Sequence, residues 1–224
     1  MKLGKRLAQI EQMVTAGYTH IWDCCCDHGL LGTALLNKHT DSNVHFVDIV
    51  PELITSVTDK LQHFYPSEQK RWHTHCIDVA TLPLKQFSGS HLIIIAGIGG
   101  DLMIDFVSAI VEQHRGEQID FLLCPVHHQF KLRQSLQQHQ LSVIDECLMK
   151  ENQRFYEIML VSTTASKGNV INLVGDKMWQ AVSQEQAHIG REYLDKTLRH
   201  YQRIQQGKKK DVAQIVKSYQ AVTL

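Results

Sequence analysis

Short apolar runs alternate with helix-like patterns along the first 140 residues of the chain. The strand candidates are residues 20–26, 43–47, 72–77, 91–96 and 120–124, and the helix candidates are residues 31–38, 51–64, 101–113 and 129–138. Apolar residues at helical spacing predict a first amphipathic helix before them: Leu3, Leu7, Ile10 and Val14. Strands that alternate with helices predict a parallel sheet with helices on both faces.

The pattern changes after the fifth strand. Residues 141–148 and 154–162 predict two further strands, which the polar turn at 149–153 joins into an antiparallel hairpin. Five parallel strands followed by such a hairpin resemble the Rossmann-like, seven-stranded sheet of the S-adenosylmethionine-dependent methyltransferases. The predicted fold class is therefore α/β, with a seven-stranded methyltransferase sheet.

The last sixty residues predict a separate helical unit. Residues 162–168 are small and polar, as in a linker, and two stripes at helical spacing follow. The first stripe contains Trp179, Val182, Ile189, Tyr193, Leu194, Leu198, Tyr201 and Ile204, and the second contains Val212, Ile215, Tyr219 and Val222. Gly207 is suited to end the first helix. We expect a methyltransferase domain over residues 1–164 and a C-terminal helical hairpin, or short coiled coil, over residues 165–224.

Charge is balanced over the chain but not along it. Lys and Arg number 23, as do Asp and Glu. Residues 165–224 contain ten Lys and Arg against five Asp and Glu, so residues 1–164 carry the opposite excess. This asymmetry fits either a polyanion that binds the C-terminal part or a solvated helix face.

Cysteine and histidine usage predicts no disulfide framework and no metal site. Three of the six cysteines are consecutive, Cys24 to Cys26, and no C-x-x-C spacing occurs. Free thiols, the lack of a signal peptide and the lack of a long apolar run predict a cytoplasmic protein without a membrane span. Several histidines are interpreted as solvated or capping residues: His63, His73, His75, His114, His127, His128 and His139.

Acidic residues follow three successive strands, and a glycine turn follows the fourth. Asp23 and Asp27 flank the end of the first strand, Asp48 closes the second and Asp78 follows the third. Each alone is an ordinary cap or turn residue, but together they predict a row along the ligand-binding edge of the sheet. A G-x-G-x-x-G loop for pyrophosphate is absent, whereas S-adenosylmethionine has no phosphate to bind.

Several motifs, in order along nearly the whole chain, resemble the bacterial tRNA adenine-N1 methyltransferases that modify adenine 22. They are Gly4-Lys5-Arg6-Leu7, Asp23-x-x-x-Asp27-His28, Ile95-Ala96-Gly97-Ile98-Gly99-Gly100, Cys124-Pro125 with Leu132-Arg133 and Leu136, and Tyr156-Glu157-Ile158. The resemblance implies a methyltransferase domain with a C-terminal helical hairpin, S-adenosyl-L-methionine as cofactor and tRNA as partner. The oligomeric state stays open.

The resemblance also implies where the cofactor binds. The implied cofactor residues are Asp23, Cys25, Asp27, Asp48, Ile49, Asp78, Val79, Ala96, Gly97, Gly99 and Gly100. The chain departs from the family at two places. Cys25 replaces the glycine of the family's Asp-x-Gly-x-Asp-His loop, where a thiol would crowd the cofactor. Cys124-Pro125-Val126 replaces Gln-Pro-Asn, and His127 and His128 follow it as substitutes for the lost polar groups.

Methyl transfer to adenine N1 needs no strong base, because N1 has a free lone pair at neutral pH. Asp27 is the candidate to stabilise the developing positive charge, and His28 is either its orienter or a turn residue. The residues expected to contact RNA are Lys5, Arg6, Tyr156, Lys196, Arg199, Arg203, Lys208, Lys209 and Lys210. Tyr156 either stacks on a base or packs against the sheet, depending on which of Phe155 and Tyr156 faces inward. Two alternatives remain: a methyltransferase with another RNA, a protein or a small molecule as acceptor, and a non-catalytic RNA-binding module on a methyltransferase fold.

Overall fold

The structure, a computed structural model, describes residues 3–207 and 211–224. Its helices are α1 (Lys5–Met13), α2 (Leu30–Lys38), α3 (Pro51–Phe64), α4 (Gly100–Gln113), α5 (Gln129–Gln138), α6 (Gln184–Gln206) and α7 (Ala213–Gln220). Its strands are β1 (His20–Cys24), β2 (Asn43–Asp48), β3 (Trp72–Cys76), β4 (His91–Ala96), β5 (Ile119–Cys124), β6 (Ser142–Glu151), β7 (Arg154–Ser162) and β8 (Asn169–Val170). Every helix and strand predicted within residues 1–140 is present, with ends that differ by at most two residues.

The strands form one sheet in the order β3-β2-β1-β4-β5-β7-β6-β8. β1 to β5 are parallel, whereas β7 runs antiparallel to β5 and to β6. The predicted α/β sheet with a terminal hairpin is confirmed, and the two-residue β8 adds an eighth strand to the predicted seven. The strand order reverses between β1 and β4, so a ligand crevice is expected outside their carboxyl ends.

Both faces of the sheet are covered. Alternate residues of a strand point to opposite faces, so in β1 Ile21 packs with α1 to α3 and Trp22 packs with α4 and α5. In β4, Ile93, Ile94 and Ile95 are all fully buried. A strand buried on both faces explains why this segment is an unbroken apolar run in the sequence.

The hairpin between β6 and β7 is tighter than predicted. The strands continue to the pair Glu151–Arg154, so the expected turn at 149–153 is wrong in length. Only Asn152 and Gln153 form the loop, and their φ values of 48° and 63° are those of a type I′ turn. The polar residues before this turn alternate along a partly exposed strand end, which local composition does not distinguish from a loop.

The C-terminal helix begins later than the apolar stripe predicts. Ser183 caps α6 by accepting a hydrogen bond from the backbone N–H of Gln186. Trp179 lies in a preceding 3₁₀ turn and is buried, whereas Val182 is 88% exposed. α6 ends at Gly207, as predicted, and Lys208 to Lys210 lie outside the described residues.

α6 and α7 pack directly on the sheet domain. Tyr193 of α6 and Tyr219 of α7 share an apolar cluster with Phe130 of α5 and with Trp179. β8 also joins residues beyond 164 to the sheet. The division of the chain at residue 164 stays a prediction.

Three histidines interpreted as surface residues are not solvated. His114 is 4% exposed, and His73 and His75 lie half-buried in a stack of aromatic rings against the sheet. The stack covers the sheet where residues 77–90, the crossover between β3 and β4, contain only two 3₁₀ turns and no α-helix. Among the described residues, every helix is too short or too polar to span a membrane.

Candidate active site

The carboxyl ends of β1, β2 and β4 meet at one edge of the sheet. Asp23 in β1 is 4% exposed, and its Oδ2 accepts a hydrogen bond from the backbone N–H of Gly32 at 2.7 Å. A Cβ at Gly32 would lie 2.3 Å from the ring of Phe46, so only glycine fits there. Burial raises the pKa of Asp23 to about 7, and the neighbouring Asp48 adds to the shift. Asp23 therefore anchors the start of α2 and can hold a proton near neutral pH.

The loop after β1 follows a strained path beside Asp48. Cys25 and Asp27 have φ values of 56° and 50°, which cost a residue with a Cβ about 1–2 kcal/mol each. The backbone N–H of Asp27 donates to Asp48 Oδ2 at 3.1 Å, and that of Val50 donates to Asp48 Oδ1 at 3.1 Å. Asp48 thus joins two loops and keeps lone pairs for a hydroxyl donor. The left-handed backbone at Cys25 explains why glycine suits this position.

The Cys25 thiol borders the site without being a nucleophile at neutral pH. Burial raises its pKa to about 12, and the carboxylates of Asp48, Asp23 and Asp78 contribute to that rise. Burial likewise raises the pKa of the Cys24 and Cys26 thiols. The three consecutive cysteines are free, uncharged side chains.

Two predicted residues after β2 and β3 are open to solvent. Ile49 is 65% exposed, and the exposed Asp78 caps a 3₁₀ turn by accepting from the backbone N–H of Ala80 at 2.9 Å. Val79, in contrast, is buried in the core, so only its backbone reaches the edge. An exposed isoleucine is ordinary by itself, but this one follows Asp48 at the ligand-binding edge.

The glycine turn after β4 has two distinct parts. Gly97 has φ 87°, and the guanidinium of Arg6 lies 3.4 Å from where its Cβ would be. At Gly99 a Cβ would lie 2.4 Å from the ring of His127, and the N–H of Gly100 donates to the His127 carbonyl at 3.0 Å. Of these three glycines, only Gly97 faces the cavity described next. Gly99 and Gly100 have no room for a side chain because the loop after β5 packs on them. Their role in cofactor binding stays a prediction.

A cavity of about 230 Å³, here called the inner cavity, lies between this loop and α1. Its lining includes Arg6, Asp23, Cys25, Asp27, Ala96 and Gly97. Arg6 was expected to contact RNA, but its guanidinium lies at the inner cavity, 5.3 Å from the centre of the Tyr156 ring. Burial raises the pKa of the Cys124 thiol to about 11, against the opposing effect of the Arg6 charge. One cation and two carboxylates therefore face a small cavity.

A second space of about 570 Å³, here called the outer cleft, lies between the loop after β5 and α6. Its lining includes His127, His128, Tyr156, Tyr193, Lys196 and Tyr201. Tyr156 is 9% exposed and stacks on Arg6, and since Tyr156 lines the outer cleft and Arg6 the inner cavity, the pair lies where the two spaces adjoin. One face of the Tyr156 ring is therefore not free to stack on a base.

The two catalytic candidates lie at the mouth of the inner cavity. The side chains of Asp27 and His28 are more than half exposed, and their Oδ1 and Nε2 atoms are 3.5 Å apart. His128 is better fixed: its Nδ1 lies 2.6 Å from Asp101 Oδ2, and Lys131 binds the other oxygen of Asp101 at 2.6 Å. The hydrogen bond from Lys131 lowers the pKa of Asp101 below its usual value, and His128 contributes. These bonds tie the loop after β5 to Asp101, in the first turn of α4.

The basic residues of α6 line a depression beside the outer cleft. Lys196, Arg199 and Arg203 share it with two residues that the sequence analysis missed, Lys150 and Phe155. Lys150 and Lys196 each place an ammonium 5.3 Å from the centre of the Phe155 ring. Lys150 and Phe155 lie opposite each other in β6 and β7, a pairing that the predicted turn at 149–153 hid. Lys5 is exposed on α1, away from this depression.

A buried ionic network holds α6 against the hairpin. Arg133 of α5 is fully buried and pairs with Glu146 at 2.7 Å and with Glu157 at 2.8 Å. The hydroxyl of Tyr193 donates to Glu157 Oε1 at 2.6 Å, and Arg133 also donates to the carbonyl of Asn172 at 3.2 Å. Tyr193, which lines the outer cleft, is therefore positioned by charges on β6, β7 and α5.

Comparison with known proteins gives a family for most of the chain. The family model described as a methyltransferase domain matches residues 3–159. No curated protein sequence matches the chain. Among the described residues, no group of three His, Cys, Asp or Glu side chains is arranged to hold a metal ion.

Three solved structures share the fold over 98% of this chain. A putative tRNA (m1A22) methyltransferase from Streptococcus pneumoniae, in complex with S-adenosyl-L-methionine, is 19% identical, with a TM-score of 0.74 and 98% of its own chain covered. The M1A22 tRNA methyltransferase TrmK of B. subtilis is 20% identical, with a TM-score of 0.72 and 93% covered. TrmK of M. capricolum, in complex with S-adenosyl-homocysteine, is 15% identical, with a TM-score of 0.69 and 94% covered. At these identities the likeness shows the fold, including the C-terminal helices.

Proposed function

Since the chain belongs to the methyltransferase-domain family, we propose that it transfers a methyl group from S-adenosyl-L-methionine to N1 of an adenine in tRNA, adenine 22 by resemblance. The observation that carries the proposal is the pair of adjoining spaces, the inner cavity and the outer cleft, with the Arg6–Tyr156 pair where they adjoin. A two-substrate transfer needs a donor site and an acceptor site side by side, because the two reactants must meet in line.

The residues of the inner cavity and its edge fit this cofactor. The guanidinium of Arg6 is complementary to the carboxylate of the methionine part, and the carboxylate of Asp27 is complementary to its ammonium group. Asp48 has lone pairs for ribose hydroxyls, because each of its oxygens accepts only one backbone hydrogen bond. We assign the exposed Ile49 to one face of the adenine ring and Asp78 to its amino group.

The thiol of Cys25 is compatible with this assignment. A sulfonium is cationic, and an uncharged thiol beside it neither repels nor reacts with it. The backbone at Cys25 already has the left-handed conformation that the family's glycine would take. Cysteine in place of glycine at position 25 therefore lowers the stability of the fold but leaves the shape of the loop unchanged.

The bound cofactor supplies an electrophilic methyl group. The protein's task is to hold the acceptor nitrogen in line with it, and such orientation contributes up to about 7–11 kcal/mol in the best cases. Asp27 stabilises the positive charge that develops on the adenine, and His28, 3.5 Å away, orients it. His127, fixed over Gly99 at the rim of the outer cleft, is a further group able to contact the base edge.

The acceptor is proposed to be RNA because cations adjoin the outer cleft. Lys150, Lys196, Arg199 and Arg203 line one depression beside it and outnumber its two acids, Glu192 and Asp195. The sequence of residues 165–224 likewise contains more Lys and Arg than Asp and Glu. An adenine of folded tRNA must leave its stack to enter the cleft, whose lining is rich in aromatic rings. A cytoplasmic location belongs to this proposal.

Purified protein, labelled S-adenosyl-L-methionine and unmodified tRNA transcripts provide the test, followed by digestion and mass analysis of nucleosides. We expect N1-methyladenosine, and a transcript with guanine at position 22 should remain unlabelled. Cofactor binding with transfer to another base, or to a small molecule only, contradicts the acceptor. Failure to bind the cofactor in calorimetry, with RNA binding intact, would instead show a non-catalytic RNA-binding module.

A further inference from the structure

The crossover between β3 and β4 carries Asp78 to the cofactor edge without an α-helix to hold it. Parallel strands are usually connected through a helix, whose internal hydrogen bonds keep the connection rigid. Residues 77–90 contain only the 3₁₀ turns Val79–Thr81 and Leu84–Gln86. Contacts from outside the segment must therefore supply much of its order.

Val79, Leu82 and Leu84 are buried in the core, and three imidazoles add hydrogen bonds to the backbone of the segment. His20 Nε2 lies 3.2 Å from the carbonyl of Ser88, His91 Nε2 lies 3.0 Å from the carbonyl of Phe87, and His114 Nε2 lies 3.0 Å from the carbonyl of Leu82. A carbonyl oxygen only accepts, so each of these nitrogens carries a proton and donates. We call His20, His91 and His114 the imidazole clamp.

The hydrogen bonds behind the clamp fix the tautomer of further rings. With Nε2 of His20 protonated, its Nδ1 is the acceptor and takes a hydrogen bond from His45 Nε2 at 3.0 Å. Because Nε2 of His45 carries the proton, its Nδ1 is the acceptor and takes a hydrogen bond from His75 Nε2 at 2.9 Å. One carbonyl thus sets three tautomers across β1, β2 and β3, all with the proton on Nε2.

His91 is fixed independently. The indole N–H of Trp22 donates to His91 Nδ1 at 3.1 Å, so a proton on that nitrogen would break this bond. In His114, Nδ1 is buried without a hydrogen-bond partner among the described residues, so a proton there would be buried unpaired. The clamp therefore donates to the crossover in its neutral form.

We propose that the imidazole clamp positions Asp78, and thereby sets the affinity of the cofactor edge for the adenosine end of its ligand. The inference rests on the proposed function, since it names Asp78 as the acceptor for the adenine amino group. Leu82, which accepts from His114, is four residues from Asp78, and the backbone N–H of Thr81 between them donates to the Asp78 carbonyl at 2.9 Å. The Ala80 N–H and the Thr81 hydroxyl also donate to Asp78, so the turn that contains Asp78 is internally bonded and the clamp holds that turn from outside.

Titratable groups surround the clamp from every side. They are His45 on β2, His73 and His75 on β3, and Glu117 after α4, together with the clamp residues themselves. Burial lowers the pKa of His20 and of His91, and for His91 the neighbouring His20 lowers it further whereas Glu117 opposes the shift. We therefore expect cofactor affinity to hold at pH 6.5, the ordinary imidazole value, and to fall only at lower pH, where protons compete for Nδ1.

Calorimetric titration of the full chain with S-adenosyl-L-methionine at pH 7.5 tests the proposal with two variants of one residue. His91→Phe keeps the ring shape and removes both nitrogens, whereas His91→Gln keeps a donor near the Nε2 position. We expect His91→Phe to weaken binding about tenfold, equal to about 1.4 kcal/mol, and His91→Gln to recover part of the loss. The exposed His63→Phe is the matched control and should bind like wild type.

A double-mutant cycle separates positioning from general support. If His91 acts through Asp78, the effect of Asp78→Asn is smaller in the His91→Phe background than in wild type. Additive effects, or equal affinity of wild type and His91→Phe, would overturn the clamp while leaving the proposed function intact. Absence of binding by wild type would overturn the proposed function itself.

Imidazole NMR gives a readout independent of the ligand. Long-range proton–nitrogen correlation distinguishes the two tautomers, and we expect His20, His45, His75 and His91 to carry their proton on Nε2 at pH 7.5. Circular dichroism of the His91→Phe variant controls for loss of fold. Nδ1 protonation in any of these four rings would contradict the network from which the clamp is inferred.

Discussion

Replacement of Arg133 by methionine tests the buried ionic network more sharply than any surface change. Arg133 and Glu157 are fully buried, and Glu146 is 3% exposed at its side chain. Methionine fills a similar volume but leaves two buried carboxylates facing each other without a cation. Removing one partner of such a pair destabilises a fold by about 3–5 kcal/mol.

That loss is large against the stability of an ordinary domain, which is about 5–15 kcal/mol. We therefore expect Arg133→Met to lower the free energy of unfolding at pH 7 by about 3–5 kcal/mol, measured by urea denaturation. In a chain of 224 residues, each kcal/mol corresponds to about 2–4 °C in Tm. Arg133→Lys keeps the charge but not the forked geometry, so its loss should be smaller.

Arg115→Met is the matched control, since Arg115 is exposed in the turn after α4. Its free energy of unfolding should change by less than about 0.5 kcal/mol. A deficit below about 1 kcal/mol for Arg133→Met would refute the reasoning.

Three further predictions follow from the site and the sheet. At Cys25, φ is 56°, so Cys25→Gly should be about 1 kcal/mol more stable than Cys25→Ala in urea denaturation, and equal stability would contradict the strain. The double variant Lys196→Ala, Arg203→Ala should reduce the slope of log affinity for tRNA against log salt concentration, by about 1 for each phosphate that it no longer neutralises. An unchanged slope would show that this surface does not contact the RNA. Burial lowers the pKa of His45 to about 2 from 6.5, so its contribution to stability is full above pH 6.5 and declines below it. At pH 5 we expect the neutral His45 to cost about 2 kcal/mol of unfolding free energy relative to pH 7. An unfolding free energy of wild type that does not change between pH 7 and 5 would contradict this prediction.

Much of the architecture could be predicted because it depends on local patterns. The run Ile93 to Ile95 ends at a glycine turn, and acids follow the neighbouring strands, so the sheet and its ligand-binding edge follow from periodicity alone. The β6–β7 turn was harder, because Lys150 and Glu151 are polar residues of a strand end rather than of a loop. Propensity does not separate these two cases.

The parts that could not be predicted depend on how distant elements dock. An arginine on a first helix is usually exposed, which favours an RNA contact for Arg6, yet α1 packs so that its guanidinium reaches Tyr156 across the fold. Arg133 belongs to a recognisable motif, but its burial depends on carboxylates from two strands. The histidine network needed the register of three strands, although the alternation of His73 and His75 in β3 already placed both on one face.

The position of α1 has a consequence for how the protein is made. Met13 of α1 contacts Cys147 of β6, and Arg6 contacts Tyr156 of β7, so the earliest helix completes its packing only against some of the latest strands. Chains emerge from the ribosome N-terminus first, at roughly 5–20 residues per second. A nascent chain therefore keeps the inner cavity unfinished for several seconds, until the β6–β7 hairpin has left the exit tunnel.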